Sequence, residues 1–255
     1  MNILSLDIST SCIGVSSFTD GELNFTSSIE PKIKGDYDKE EKLYQKVVLF
    51  DDYLNHKNVY TENYEYIIIE KPLISSSNIF TAAHLNFFQG MVFNMLKMRM
   101  PAANVIYYDI DDIRRTVFPE LVSKKGTLYS DLPKEIQGNK ISQYRKLIIN
   151  YLIAQRYPTV EWDLNNNKKL NETNYDVADS LAVGTAFLIK HGIKQVESYD
   201  IEKAVEFLNK YYEYVSWSSK ITGTVKEKNS LKVHYLNTIF EIANYMNVKA
   251  YINIK

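Results

Sequence analysis

Asp7 closes the apolar run NILSLD, and Glu70 directly follows the apolar run YEYIII. Asp176 and Asp179 stand three residues apart in DVADSLAVG. Carboxylates at that spacing on a helix project from one side, ~5–6 Å apart. Strand ends of an open sheet gather at one edge, where sites commonly form. A helix start packed on that edge would bring all four acids together. Such a cluster repels itself unless cations fill it. Hard divalent ions such as Mg²⁺ take oxygen ligands in octahedral geometry. Two such ions, ~4 Å apart, can clamp the attacking and leaving oxygens of a phosphodiester displacement. Ordinary roles compete for each acid: Asp7 as a turn cap, Glu70 as a partner of Lys71, Asp176 as a helix cap. Two of the acids follow buried strand runs, however, where an unpaired acid is costly.

The charge distribution supplies a counterpart. Net charge is −1 over 255 residues, which alone gives little reason to expect a polyanion. Residues 1–113 carry nine basic and sixteen acidic side chains, whereas 114–255 carry 21 and fifteen. Arg114, Arg115, Lys124, Lys125, Lys134, Lys140, Arg145 and Lys146 face only three acids in the same stretch. A phosphate backbone would suit that stretch; a solvated helix face is the competing reading.

The elements that must position these residues follow from pattern. Residues 2–7, 12–18 and 22–29 read as strands, with Asp20-Gly21 as a hairpin turn. Leu43, Val47, Phe50 and Leu54 make one face of a helix over 38–56. Residues 64–69 form the next strand, Ser75-Ser76-Ser77 offers helix caps, and 78–99 reads as a long, largely buried helix. A strand over 104–108 and a short helix over 109–117 follow. Residues 119–139 hold Pro119, Gly126, Pro133 and Gly138 without sustained period and read as an insertion. Helices are expected over 141–157 and 174–191, the second stopped by Gly192. Beyond it, 201–214 and 233–247 look helical, and 217–225 reads as a turn or strand. The expected fold class is therefore α/β, a mixed sheet flanked by helices with a helical C-terminal appendage.

The same residues carry a resemblance. LSLDISTSCIGVS resembles the first hairpin of the RuvC family of Holliday-junction resolvases, with an acid and then a Gly seven residues on, here Asp7 and Gly14. YIIIEKP is similar to that family's second strand-end acid. HLNFFQGMV resembles its next helix with a Gln-Gly pair, here Gln89-Gly90. YDIDDIRRTV, GNKISQYRKLI and DVADSLAVG resemble the following strand and helix, the lysine-bearing helix start and the closing Asp-x-x-Asp helix. The resemblance runs in order through residues 2–192. Where the family has Pro-Gly after the first acid, this chain has Ile8-Ser9.

The resemblance implies a ribonuclease H-like nuclease domain over 1–192, with the insertion 119–139, and an appendage over 193–255. It implies a metal-dependent endonuclease acting on four-way junctions or other branched DNA as a homodimer. Asp7, Glu70, Asp176 and Asp179 would be metal ligands for two Mg²⁺ ions, with Mn²⁺ as a substitute. Lys140 would stabilise the scissile phosphate. Arg114 matches a second basic position, and Arg115, Lys124, Lys125 and Arg145 would join these two in binding DNA. Ile74 and Phe80, just after Glu70, are candidates to wedge into a junction. The apolar residues of the 78–99 helix, Phe80, Leu85, Phe87, Phe88, Met91, Val92, Phe93, Met95, Leu96 and Met98, cover more than one face; one face would pack on the sheet, and the surplus offers a dimer face unless the appendage covers it.

Two other classes stay open. An actin-like kinase or ATPase shares the opening hairpin and acid, but the nine dispersed glycines never form a G-x-x-x-x-G-K phosphate loop. A catalytically silent nucleic-acid-binding protein on the same fold is the other. His56, His84, His191 and His234 lack metal-ligand spacing, and the lone Cys12 reads as packing. No apolar run reaches the ~18 residues of a membrane span, and MNILSLDIST lacks the basic start of a secretory leader. The expected location is the cytoplasm of a bacterial or virus-infected cell.

Overall fold

The computed structural model describes residues 1–72, 79–119, 141–163 and 170–220, with the backbone alone for 141–145, 201 and 212–220. Ser75-Ser76-Ser77, Ile74, Lys124, Lys125, Lys134, Lys140, nearly all of the 119–139 insertion and the helix expected over 233–247 lie outside the described residues.

Among the described residues, five strands form one sheet: β1 (Asn2–Ile8), β2 (Ile13–Thr19), β3 (Glu22–Ile29), β4 (Tyr66–Glu70) and β5 (Asn104–Tyr108). Their order is β3-β2-β1-β4-β5. β2 runs antiparallel to β1 and β3, while β4 is parallel to both β1 and β5. This is the arrangement of the ribonuclease H-like and actin-like folds. Asp20 and Gly21 both take positive φ, 50° and 88°, as a two-residue hairpin with right-handed strand twist requires.

The chain divides into two compact units. The first holds Met1–Pro119 and Asp176–Glu197, and so contains the whole sheet. On one face of the sheet lie α1 (Lys39–His56) and α2 (Ile79–Arg99). Asp38 caps α1 by accepting from the Glu41 N–H at 2.7 Å, and Leu43, Val47, Phe50 and Leu54 are buried as their spacing predicts. They join Leu4, Leu6, Ile8, Ile13, Val15, Ile67 and Ile69 in one core with Phe88, Val92 and Leu96 of α2. α2 is less buried than its composition suggests: Ile79, Phe80, Phe87 and Met98 are exposed. Its apolar residues surround the helix, and only one side meets the sheet.

The other face carries α5 (Thr173–Lys190). Ser5 Oγ donates to the Ser180 carbonyl at 2.8 Å, and the Ser16 and Ser180 hydroxyls are 2.7 Å apart. Farther along, Phe187 lies against Tyr66, ring centroids 5.0 Å apart. Gly192 stops the helix at φ 70°, with the Ile193 N–H returning to the Leu188 carbonyl. α3 (Ile110–Val117) follows β5.

The second unit holds Glu120–Tyr175 and Ser198–Lys255. Its described helices are α4 (Ile141–Arg156) and α6 (Ile201–Lys220). Tyr151 stacks on Phe207 at 4.6 Å between them. Asp200 starts α6 by accepting from the Lys203 N–H. α6 continues through Trp217 to Lys220, which corrects the turn or strand expected over 217–225 as far as Lys220; 221–225 lie outside the described residues. No described helix is long and apolar enough to cross a membrane.

Candidate metal and nuclease site

Alternation along the strands decides which way the acids face. Ser5 reaches α5, so Asp7, two residues on, lies on the same face. The last pair of the parallel β1–β4 ladder is Leu6 with Ile69. One further step sets Asp7 level with Glu70, on the same face. Glu70 itself pairs with Tyr108 on β5. Both acids are partly buried.

Gly14 brings α5 to that edge. It is the antiparallel partner of Asp7. A Cβ at Gly14 would lie 1.9 Å from the Asp176 carbonyl oxygen and 3.2 Å from the Ser180 Cβ. Only a residue without a side chain lets helix backbone settle there. Gly184, two turns on, meets Phe18 and Ser5 in the same way, at 2.4 and 2.7 Å. Asp176 therefore sits in the first turn of α5 directly over the partner of Asp7. Asp179 follows three residues later, next to the buried Ser180. The backbone thus gathers the positions of Asp7, Glu70, Asp176 and Asp179 at one edge of one sheet face.

Two neighbours of these acids carry more than their sequence context suggests. Cys12 is buried and faces Asp176. Burial first, then the Asp176 charge and a hydrogen bond to its carboxylate, push the thiol well above its ordinary range. Gln89, 4% exposed, donates from Nε2 to the Ile8 carbonyl at 3.2 Å and to the Glu70 carbonyl at 3.4 Å. Its Oε1 is buried without a hydrogen-bond partner.

The turn after Asp7 is tied by Ser9. Its hydroxyl accepts from the Cys12 N–H at 3.1 Å and donates to the Cys12 carbonyl at 2.8 Å. Lys46 of α1 donates to the Thr10 carbonyl in the same turn.

The basic positions are placed differently. Arg114 and Arg115 lie in the last turn of α3. Arg115 pairs with Asp112 at 3.3 Å, and Asp112 also meets Lys190 at 3.4 Å. Lys190 lies in the last turn of α5, about 21 Å along the helix from Asp176. Arg145 belongs to α4 by its backbone; Lys124, Lys125 and Lys140 lie outside the described residues. Phe80 is 76% exposed.

The donor set suits a hard divalent ion, since carboxylate oxygens are what Mg²⁺ prefers. The backbone frame fits it as well, through the close approach at Gly14. Among the described residues, no three His, Cys, Asp or Glu side chains close on a common point.

No protein-family model matches this chain, and no curated protein matches it by sequence. Among solved structures it is similar to Thermus thermophilus RuvC in complex with a Holliday junction substrate. Identity there is 10%, the TM-score is 0.46, and the match covers 76% of this chain and 97% of that one. A second T. thermophilus RuvC structure matches at 11% identity and TM-score 0.46, over 76% and 98% of the two chains. An Aquifex aeolicus member of the Ppx/GppA family follows at 8% identity and TM-score 0.32, over 88% and 99%.

Proposed function

We propose that this chain is a divalent-metal-dependent endonuclease that cuts branched DNA, a four-way junction above all, as a symmetric pair of subunits. The observation that carries this reading is the seat of Asp176 on Gly14, the strand partner of Asp7. It puts a helix acid and a central-strand acid at one sheet position, with Glu70 one strand away.

In this reading Asp7, Glu70, Asp176 and Asp179 are the metal ligands, and their carboxylates are acceptor-only groups well matched to Mg²⁺ or Mn²⁺. When bound, the ions would supply Lewis acidity at the phosphate and a more acidic water. The protein carries the acids on sheet and helix backbone, which brings their positions to one sheet edge. Lys140 supplies positive charge to the phosphate in the transition state. Arg114, Arg115, Lys124, Lys125 and Arg145 contact phosphates away from the cut, which fixes register rather than sequence.

The test uses purified full-length protein, a labelled four-way junction and a linear duplex, with and without Mg²⁺. Cleavage of the junction should require Mg²⁺ or Mn²⁺, and Ca²⁺ should support binding with little cutting. Asp7→Asn, Glu70→Gln and Asp179→Asn should each nearly abolish cleavage and leave junction binding intact. Lys140→Ala should slow cleavage at saturating enzyme by ~10²-fold or more. Undiminished cutting in excess chelator, or by any of the three acid variants, rejects the site. Junction binding without cutting under every metal condition would assign the chain to the silent nucleic-acid-binding class instead.

A further inference from the structure

We propose that Lys39, Lys42 and Lys46 form one basic track on α1 that carries the phosphate backbone of a DNA strand past the turn after Asp7. This rests on the nuclease reading above. It adds a contact surface within the net-acidic stretch 1–113, apart from the basic residues of 114–146.

Helix phase makes the track. At 100° per residue, the three lysines fall within a sector of about 60° on α1 and span ~10 Å along it. Glu40, Glu41, Asp51 and Asp52 all lie more than about 100° from the centre of that sector. The buried row of Leu43, Val47, Phe50 and Leu54 runs between the two charge groups, so lysines flank the core on one side and acids on the other. Among the described residues, none of the three lysines meets a carboxylate, whereas Lys32, Lys71, Lys190, Lys203 and Lys210 each do. The arrangement is costly without an anion. Lys42 stands three residues from Lys39 and four from Lys46, spacings at which like charges repel. Lys39 opens the helix, where the dipole disfavours a cation. A row of phosphates relieves both costs.

Lys46 ties the track to the candidate site. Its ammonium donates to the Thr10 carbonyl, in the turn that joins β1 to β2. Thr10 is three residues from Asp7, which keeps its backbone within ~11 Å. Lys46 is half-buried, and burial lowers its pKa from the ordinary lysine value. An ammonium has three donors, and a neutral carbonyl supplies no charge to balance it. A phosphate oxygen both accepts a hydrogen bond and balances the charge. α1 and α5 lie on opposite faces of the sheet, so the turn stands between the positions of the acids and the track. A strand cut at the acids can therefore continue over the turn and along α1.

The test is junction binding by fluorescence anisotropy over a salt series, in chelator, so that no step depends on cleavage. Lys39→Gln, Lys42→Gln and Lys46→Gln should each lower the slope of log affinity against log salt by about 1. The double variant Lys42→Gln/Lys46→Gln should weaken binding by ~10-fold or more. Lys46→Arg keeps the charge and should keep the slope. Lys203→Gln/Lys210→Gln, which removes two charges from α6, should leave the slope unchanged. Unchanged slopes in the α1 variants, or an equal change in the α6 control, overturn the track. A fall in melting temperature for Lys46→Gln with its slope intact makes Lys46 a brace of the turn only, and also overturns it. ATP carries the same phosphate chemistry on a small molecule and should displace the junction no better than salt of equal ionic strength. Displacement beyond that, lost in the double variant, assigns the lysines to a nucleotide and overturns the strand contact. Wild-type protein that binds the junction but never cuts it with Mg²⁺ rejects the nuclease reading alone, because the slopes still decide the track. Wild-type protein that binds no DNA rejects both.

Discussion

Three glycines on two helices and one strand predict opposite outcomes for the same substitution. Gly14→Ala places a methyl 1.9 Å from backbone oxygen, and backbone cannot swing aside as a flexible side chain can. The helix must lift from the sheet at the Asp176 turn. We expect a loss of ~1–3 kcal/mol, the usual range for overpacking, and, under the proposed nuclease function, loss of Mn²⁺ binding as well. Gly184→Ala meets Phe18 and Ser5 and should be similarly destabilising, with metal affinity less affected because it lies two turns from Asp176. Gly90 sits in α2, where an added methyl would meet nothing within 4 Å, and Gly90→Ala should stabilise by ~0.4–1 kcal/mol. Urea denaturation of the three variants checks both signs. The acids were legible in the sequence because each follows an apolar strand run or repeats at helical spacing. Gly14 was legible only as a motif position, since close approach of a distant helix is a tertiary fact. Cys12 read as packing because a lone cysteine carries no spacing signal, and its contact with Asp176 joins residues 164 apart.

At the scale of elements, α1 and α2 are tied by Asp51. Arg99 donates to it through Nε at 3.0 Å and through a terminal nitrogen at 2.6 Å, and the Tyr60 hydroxyl donates at 2.6 Å. The Arg99 hydrogen bond is the main cause holding the Asp51 carboxyl below its ordinary range. A depressed carboxyl contributes stability above its unfolded value, near pH 4, and loses it as pH falls through the folded value. Stability should therefore drop below about pH 4, and Asp51→Asn should flatten that part of the acid limb. At neutral pH the same variant should cost about 1 kcal/mol, since Arg99 remains half exposed and solvent screens the pair. Chemical denaturation at pH 3 and pH 7 measures both effects. Helix periodicity predicted α1 well, because its four buried residues form a single row. It failed to find the buried face of α2, where apolar residues occur on every side and burial is decided by what packs against them. The run after Tyr214 failed for a different reason: Trp217, Ser218 and Ser219 have modest helix propensity, and α6 continues through them.

For the molecule as a whole, α2 offers a test of the paired-subunit proposal. At 100° per residue, Phe80, Phe87 and Met98 fall within about 20° of one line along the helix. All three are exposed, at 76%, 51% and 83%, and this line is opposite Gln89, Val92 and Leu96, which are buried. An apolar stripe of this kind on a helix commonly marks an interaction surface. A four-way junction has approximate two-fold symmetry, and resolving it needs cuts on two opposing strands. With one set of acids per chain, a C₂ pair aligned on the junction provides both cuts, and an isologous α2 contact would build that pair. Light scattering at micromolar concentration should give twice the chain mass without DNA, and two chains plus one junction with it. Phe87→Glu places a charge in the middle of the stripe, where its burial across an interface would be costly. It should shift the protein toward monomer with little change in melting temperature, because the side chain is exposed within a single chain. In junction assays it should convert paired cuts into single, uncoordinated nicks while each site keeps its metal requirement. A wild-type protein that stays monomeric in both conditions defeats the α2 dimer, and the acids would then be read as a nicking site acting alone.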